Sequence, residues 1–149
     1  MKKKLLILLI AVTLFSCKKE KLPQPDENGY ILLRNVQSVS LIKKTIQGTW
    51  KIHYSYGGLT GHQKTELNDS WFQYKPNDSM YIIYEGRTDV ATKPRMVRKK
   101  TEMGYDGWIM DYKTGDSRNE LIIEVLIKDT LWLVPNHPDA LGYAMTKIP

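Results

Sequence analysis

Cys17 is the single cysteine among 149 residues, so no disulfide can close within the chain and any sulfur chemistry rests on one atom. The three histidines, His53, His62 and His137, are scattered, with no two at the spacing of paired zinc ligands. His53 falls on the polar face of an alternating stretch and is expected at the surface. Gly115-Asp116-Ser117 offers one serine beside an acid. No Gly-x-Ser-x-Gly elbow is present to strain and expose a nucleophile, and Asp, Gly and Ser are the ordinary residues of turns. The expectation is therefore no enzyme, no cofactor and no metal.

What remains for recognition is aromatic and basic. The chain carries 9 Tyr and 4 Trp against 2 Phe. Such rings combine a flat apolar body with a polar tip and suit partly wet surfaces. Tyr54, Tyr56, Tyr81, Tyr84, Trp108 and Tyr143 are the candidate ligand-binding residues, with Tyr105 a further aromatic for the mouth of a site. The alternative is a set of barrel staves whose hydroxyls reach water at a rim. Lys93-Pro94-Arg95-Met96-Val97-Arg98-Lys99-Lys100 puts five cations in eight residues. Fixed cations of this kind concentrate anions such as lipid phosphates; equally, they guard an edge strand against pairing with other chains.

The start of the chain concerns address. Lys2, Lys3 and Lys4 precede Leu5–Phe15, apolar except for Thr13. That matches the charged and hydrophobic parts of a secretory signal and is shorter than the roughly 20 residues of a membrane span. Leu14-Phe15-Ser16-Cys17 resembles a bacterial lipobox, in which cleavage precedes a cysteine that becomes diacylated. Residues 1–16 are then a lipoprotein signal peptide and Cys17 the lipidation site, held stably once two acyl chains are present. Residues 17–29 read as lipidated cysteine and flexible tether, rich in Lys, Glu and Pro. The 22 Lys and Arg against 16 Asp and Glu give +6, three of the lysines lying within residues 1–16. Without them the charge is about +3, and with extracytoplasmic placement no nucleic-acid partner is expected. The expected location is the cell envelope, anchored by lipid at the outer membrane, facing either the periplasm or the exterior.

Residues 30–149 suffice for one domain. Leu32, Val36, Val39, Ile42 and Ile46 recur at roughly helical steps, with a shorter helix over Ser40–Ile46 as the alternative. From Trp50 to Tyr56 apolar and polar residues alternate as in a half-buried strand. Further extended runs follow at Ser70–Tyr74, Met80–Glu85, Ala91–Glu102, Trp108–Tyr112, Glu120–Ile127, Thr130–Val134 and Tyr143–Ile148, each stopped by a turn signal. Eight sequential strands with one apolar face expose edges unless the sheet closes on itself. The expected fold is thus all-β, an eight-stranded antiparallel up-and-down barrel preceded by a short helix; the alternative is a sandwich. Strict alternation gives an inward set that includes Trp50, Ile52, Tyr54, Tyr56, Leu121, Ile123, Val125, Leu131 and Leu133. These residues either plug the lumen or line a pocket.

Gly48-Thr49-Trp50 at the head of the first strand resembles the Gly-x-Trp signature of lipocalins. The span from Ile46-Gln47-Gly48-Thr49-Trp50 through Asp129-Thr130-Leu131-Trp132-Leu133 to Tyr143-Ala144-Met145-Thr146-Lys147 resembles the lipocalin-like domain of Bacteroidota lipoproteins. The resemblance implies a lipocalin-like barrel with Gly48, Trp50 and Lys147 as structural signature, the tryptophan at the closed end and the basic residue over its ring. The Thr-Asp-Tyr element of lipocalins proper has no counterpart; Met110-Asp111-Tyr112 comes one strand early. Gly115-Asp116-Ser117 resembles the serine motif of a lipase family, without the partner motif. The function implied is non-catalytic binding of a small apolar or amphiphilic ligand. The alternative is a filled barrel that binds an envelope protein or glycan through Gly57–Asn68 and Pro135–Gly142.

Overall fold

The computed structural model describes residues 20–58 and 63–149. Cys17 and the 1–16 segment lie outside those residues, as does His62. Strand β1 (Tyr30–Leu32) leads through a 3-10 turn (Leu33–Asn35) to helix α1 (Val39–Ile46). Ser38 caps this helix, its Oγ accepting the Leu41 N–H at 3.2 Å; such a cap satisfies one of the donors left open at a helix start. Ile42 and Ile46, one turn apart, are fully buried. No helix among the described residues is long and apolar enough to cross a membrane.

The rest is strand: β2 (Gly48–Gly57), β3 (Gln63–Glu66), β4 (Trp71–Tyr74), β5 (Met80–Tyr84), β6 (Arg87–Thr92), β7 (Arg95–Lys100), β8 (Asp106–Thr114), β9 (Ser117–Ile127), β10 (Thr130–Pro135) and β11 (Leu141–Lys147). Nine of them form one antiparallel path, β6-β5-β4-β2-β11-β10-β9-β8-β7, with β1 added to β9 and β3 to β2. The sheet is curled strongly into a half-barrel. Its two ends, β6 and β7, are successive in sequence.

The run Ala91–Glu102, expected as one strand, is two. It divides at Lys93-Pro94, between β6 and β7, because proline has no N–H to give a ladder and restrains the residue before it. The preceding hairpin turns on Glu85 and Gly86, both at positive φ (48° and 75°), the backbone that a two-residue hairpin matched to strand twist requires. Residues Gln63–Glu66, expected within a contact loop, instead pair with Tyr54–Gly57.

Three bulges interrupt the ladders, one of them between β5 and β6 with Asp89 as the extra residue, and the other two decide how β2 and β9 face the core. Between β11 and β2 the partners step from Ala144↔Tyr54 to Met145↔Ile52, leaving His53 as the extra residue. Between β10 and β9 they step from Trp132↔Val125 to Leu133↔Ile123, leaving Glu124. An extra residue reverses the side-chain alternation beyond it and sharpens the local twist. Trp50 and Ile52 therefore face inward, but past His53 it is Ser55 that turns in, at 5% exposure. Tyr54, Tyr56 and Val125, inward by strict alternation, are carried to the outer face. Tyr54 meets Trp132 there edge-on, centroids 5.9 Å apart, with the Lys64 ammonium 4.4 Å from its ring. His53 is half-buried, its Nε2 sharing a hydrogen bond with Thr146 Oγ1 at 2.7 Å; it is not plain surface.

Candidate functional site

One end of the curl is closed by helix α1 over a buried tryptophan. Trp50 is 2% exposed, and its Nε1–H donates to the Ile46 carbonyl at 2.7 Å, tying the first long strand to the last turn of α1. Lys147 sits directly across from Trp50 in the ladder, its Nζ 5.4 Å from the ring centroid. Gly48 lies against the same lysine. Its φ is +130°, and an added Cβ would come 2.8 Å from Lys147 Cε, so backbone and space together call for glycine. Trp108 belongs to this end too, its Nε1–H donating to the Val36 carbonyl at 2.7 Å. It is a buried structural residue, not part of a mouth.

The other end is open. A cavity of about 820 Å³ occupies it, with Ile52, Phe72, Ile82, Leu121, Leu133 and Met145 among its apolar lining. Tyr84 and Tyr143 of the candidate aromatics line it, joined by Tyr112. Arg118, Asn119, Glu120 and Leu121 all touch the space, although successive strand residues face opposite sides. That is explained by β10 ending opposite Leu121: past that point β9 has no strand on this edge, and the cavity runs round it from the inner face to a polar outer rim. The remaining aromatics lie elsewhere. Tyr81 is on the outer face beneath the Lys75 ammonium, 4.5 Å from its ring centroid. Tyr105 stacks with the Arg34 guanidinium at 4.9 Å and donates its hydroxyl to Glu124; burial first, and that bond second, raise its pKa.

Sequence reasoning missed Tyr112 and Asp89. Tyr112 was within reach, since Trp108, Met110 and Tyr112 share one face by alternation. Asp89 had no such signal: it is an exposed residue on β6, and only the curl brings β6 close to β8. Burial, with lesser effects from Tyr143 and Asp89, pushes the Tyr112 phenol up to about 12. Burial also raises Tyr143, helped by Tyr84 and Asp89. Both phenols are therefore neutral donors at ordinary pH.

The outer rim is electrostatic. Arg118 grips Asp111 with two bonds, Nε to Oδ1 at 2.8 Å and Nη2 to Oδ2 at 2.6 Å, and Arg95 adds a third at 2.8 Å. Lys99 reaches Glu120 at 2.7 Å, and Asn136 donates to the same carboxylate at 2.6 Å. Thus Arg95 and Lys99 of the basic run, on the edge strand β7, are engaged by carboxylates of neighbouring strands. Chiefly through Arg118, and against the pull of burial, Asp111 is held at about 2, below its ordinary 3.8. A depressed carboxylate pKa contributes stability above the unfolded value and loses it as pH falls through the folded one. Asp111→Asn should accordingly lower the thermal midpoint at about pH 6, with the gap from wild type shrinking between 3.8 and about 2. Thermal scans across that window check this; a gap unchanged at the acid end contradicts it.

His137 lines the cavity and its Nδ1 is 2.9 Å from the Pro138 carbonyl. Among the described residues no group of three His, Cys, Asp or Glu is arranged to hold a metal ion. The arrangement as built can enclose an apolar body and meet a polar group at its rim. No family model, no curated protein and no solved structure matches the chain.

Proposed function

We propose that the protein is a lipid-anchored envelope lipoprotein of the lipocalin-like kind that binds a small apolar or amphiphilic ligand without catalysis. The observation that carries this reading is the cavity of about 820 Å³, within the size range of small-molecule sites. An apolar floor with a few polar groups at one side is the usual form of such a site: the floor supplies the affinity and the phenols of Tyr84, Tyr112 and Tyr143 the orientation. The finer architecture belongs to the same reading. With β6 and β8 close across the gap, the half-barrel works as a lipocalin-like barrel closed by packing, where a ladder would otherwise join its ends.

Cys17, with acyl chains on its sulfur, anchors the domain in the outer membrane. Leu22 packs against the core, and the five residue steps from Cys17 to Leu22 reach at most about 18 Å.

Native mass spectrometry of the full chain, extracted gently from the membranes of its host, tests both parts. The expected polypeptide begins at Cys17, carries the mass of acyl chains and retains an additional small molecule that dissociates on activation. An acylated but otherwise bare chain would shift the reading to an interaction module working through its loops. A chain without acyl mass would remove the anchor.

A further inference from the structure

Three tyrosines and one carboxylate meet at the inner side of the cavity with no protein partner for their polar atoms. Tyr84 comes from the end of β5, Asp89 from β6, Tyr112 from β8 and Tyr143 from β11, and all four line the space. Among the described residues none of their side chains makes a hydrogen bond or an ion pair. Their mutual proximity shows in the electrostatics: Tyr112 and Tyr143 each respond to Asp89, and Tyr143 to Tyr84 as well.

Two of the three cations in the cavity lining are held by carboxylates, and the third lies at a strand end. Lys99 and Arg118 are held by Glu120 and Asp111 on the outer face, and Lys100 stands opposite Asp106 at the far end of β7. Asp89 makes no ion pair among the described residues and shares the cavity lining with three aromatic rings, whose π-faces are negative. An anionic headgroup would be repelled here, and a neutral hydroxylated one would donate hydrogen bonds to the carboxylate without the full Coulomb attraction. A cation gains from both, from the charge by Coulomb attraction and from the rings by cation–π contact, which strengthens as water leaves the site.

We infer that this inner side receives the ammonium head, protonated or quaternary, of an amphiphile whose chain lies on the apolar floor; the inference rests on the ligand-binding reading above.

The test is calorimetry on the full chain in lipid nanodiscs, with empty nanodiscs subtracted. Three probes share one short chain: hexyltrimethylammonium, hexyl sulfate and hexyl glucoside. The ammonium probe should bind at least about tenfold more tightly than the other two. Asp89→Asn, a change at an exposed residue, should cost that probe about tenfold and leave the glucoside within about twofold. Tyr143→Phe keeps the ring and should retain ammonium binding, whereas Tyr143→Leu should lose it; a hydroxyl-bonded ligand would give the opposite ranking of the phenylalanine variant. Sulfate or glucoside binding as tightly as the ammonium probe would overturn the ammonium assignment and leave the cavity a ligand site. So would an Asp89→Asn protein that binds the ammonium probe unchanged. Heat from none of the three probes would count against both readings.

Discussion

Replacing Trp50 by alanine should destabilise the domain by about 3–5 kcal/mol, the range for deleting a large aromatic from a packed core. Two losses combine at this position. The ring is 2% exposed and packs beside Phe72, its partner across β2 and β4, so its removal opens a hole under α1. The Ile46 carbonyl also loses the indole N–H that it accepts at 2.7 Å, and an abandoned buried acceptor costs more than the bond was worth. Lys147→Ala provides the internal comparison. It removes a cation over the ring but leaves the packing, and at this exposed position the loss should be only about 0.5–1 kcal/mol. Urea unfolding of both variants measures the difference. Equal losses would show that the tryptophan is not the keystone of the closed end.

Leu133→Trp should abolish ligand retention. Leu133 is 1% exposed yet lines the cavity, and it stands opposite Tyr143 on β11 and Ile123 on β9. A tryptophan there projects its ring into space that the ligand would occupy. Inserting bulk into a well-packed core costs about 1–3 kcal/mol; next to an existing cavity the cost should fall at the low end, so the variant remains folded. In the native mass spectrum the small-molecule adduct should disappear while the acylated polypeptide mass remains. An adduct of undiminished intensity on a folded Leu133→Trp protein would place any ligand outside the curl.

Much of the fold was legible because strand periodicity is local. Trp50 and Ile52 alternate with Lys51 and His53, Leu131 and Leu133 with Trp132, and Trp108 and Met110 with Ile109; within each run a period of two assigns the faces correctly. The helix was legible at Val39, Ile42 and Ile46, whereas Leu32 and Val36, on the same step, fall in β1 and just after the 3-10 turn. The errors came where one residue was added to a ladder. Nothing in Ile52-His53-Tyr54 distinguishes a bulge from continuous strand, because the bulge exists only relative to the register of β11. Tyr54 and Tyr56 consequently looked like pocket residues and are outer-face residues. β1 and β3 escaped notice because a three- or four-residue strand has too little pattern of its own; each is defined by the long strand it joins.

The amino-acid order alone determined that this chain is built of short antiparallel strands with one short helix, and that a Gly-x-Trp corner starts the first long strand. Side-chain alternation, proline breaks and turn residues are properties of neighbours in the chain, and they need no partner to be expressed. Only the tertiary structure decided where the open space lies and what surrounds it. Asp89 and Tyr112, 23 positions apart in the numbering, face one cavity because the accumulated twist of nine strands brings β6 round to β8. Twist adds up over the whole sheet, so no short stretch of sequence carries it.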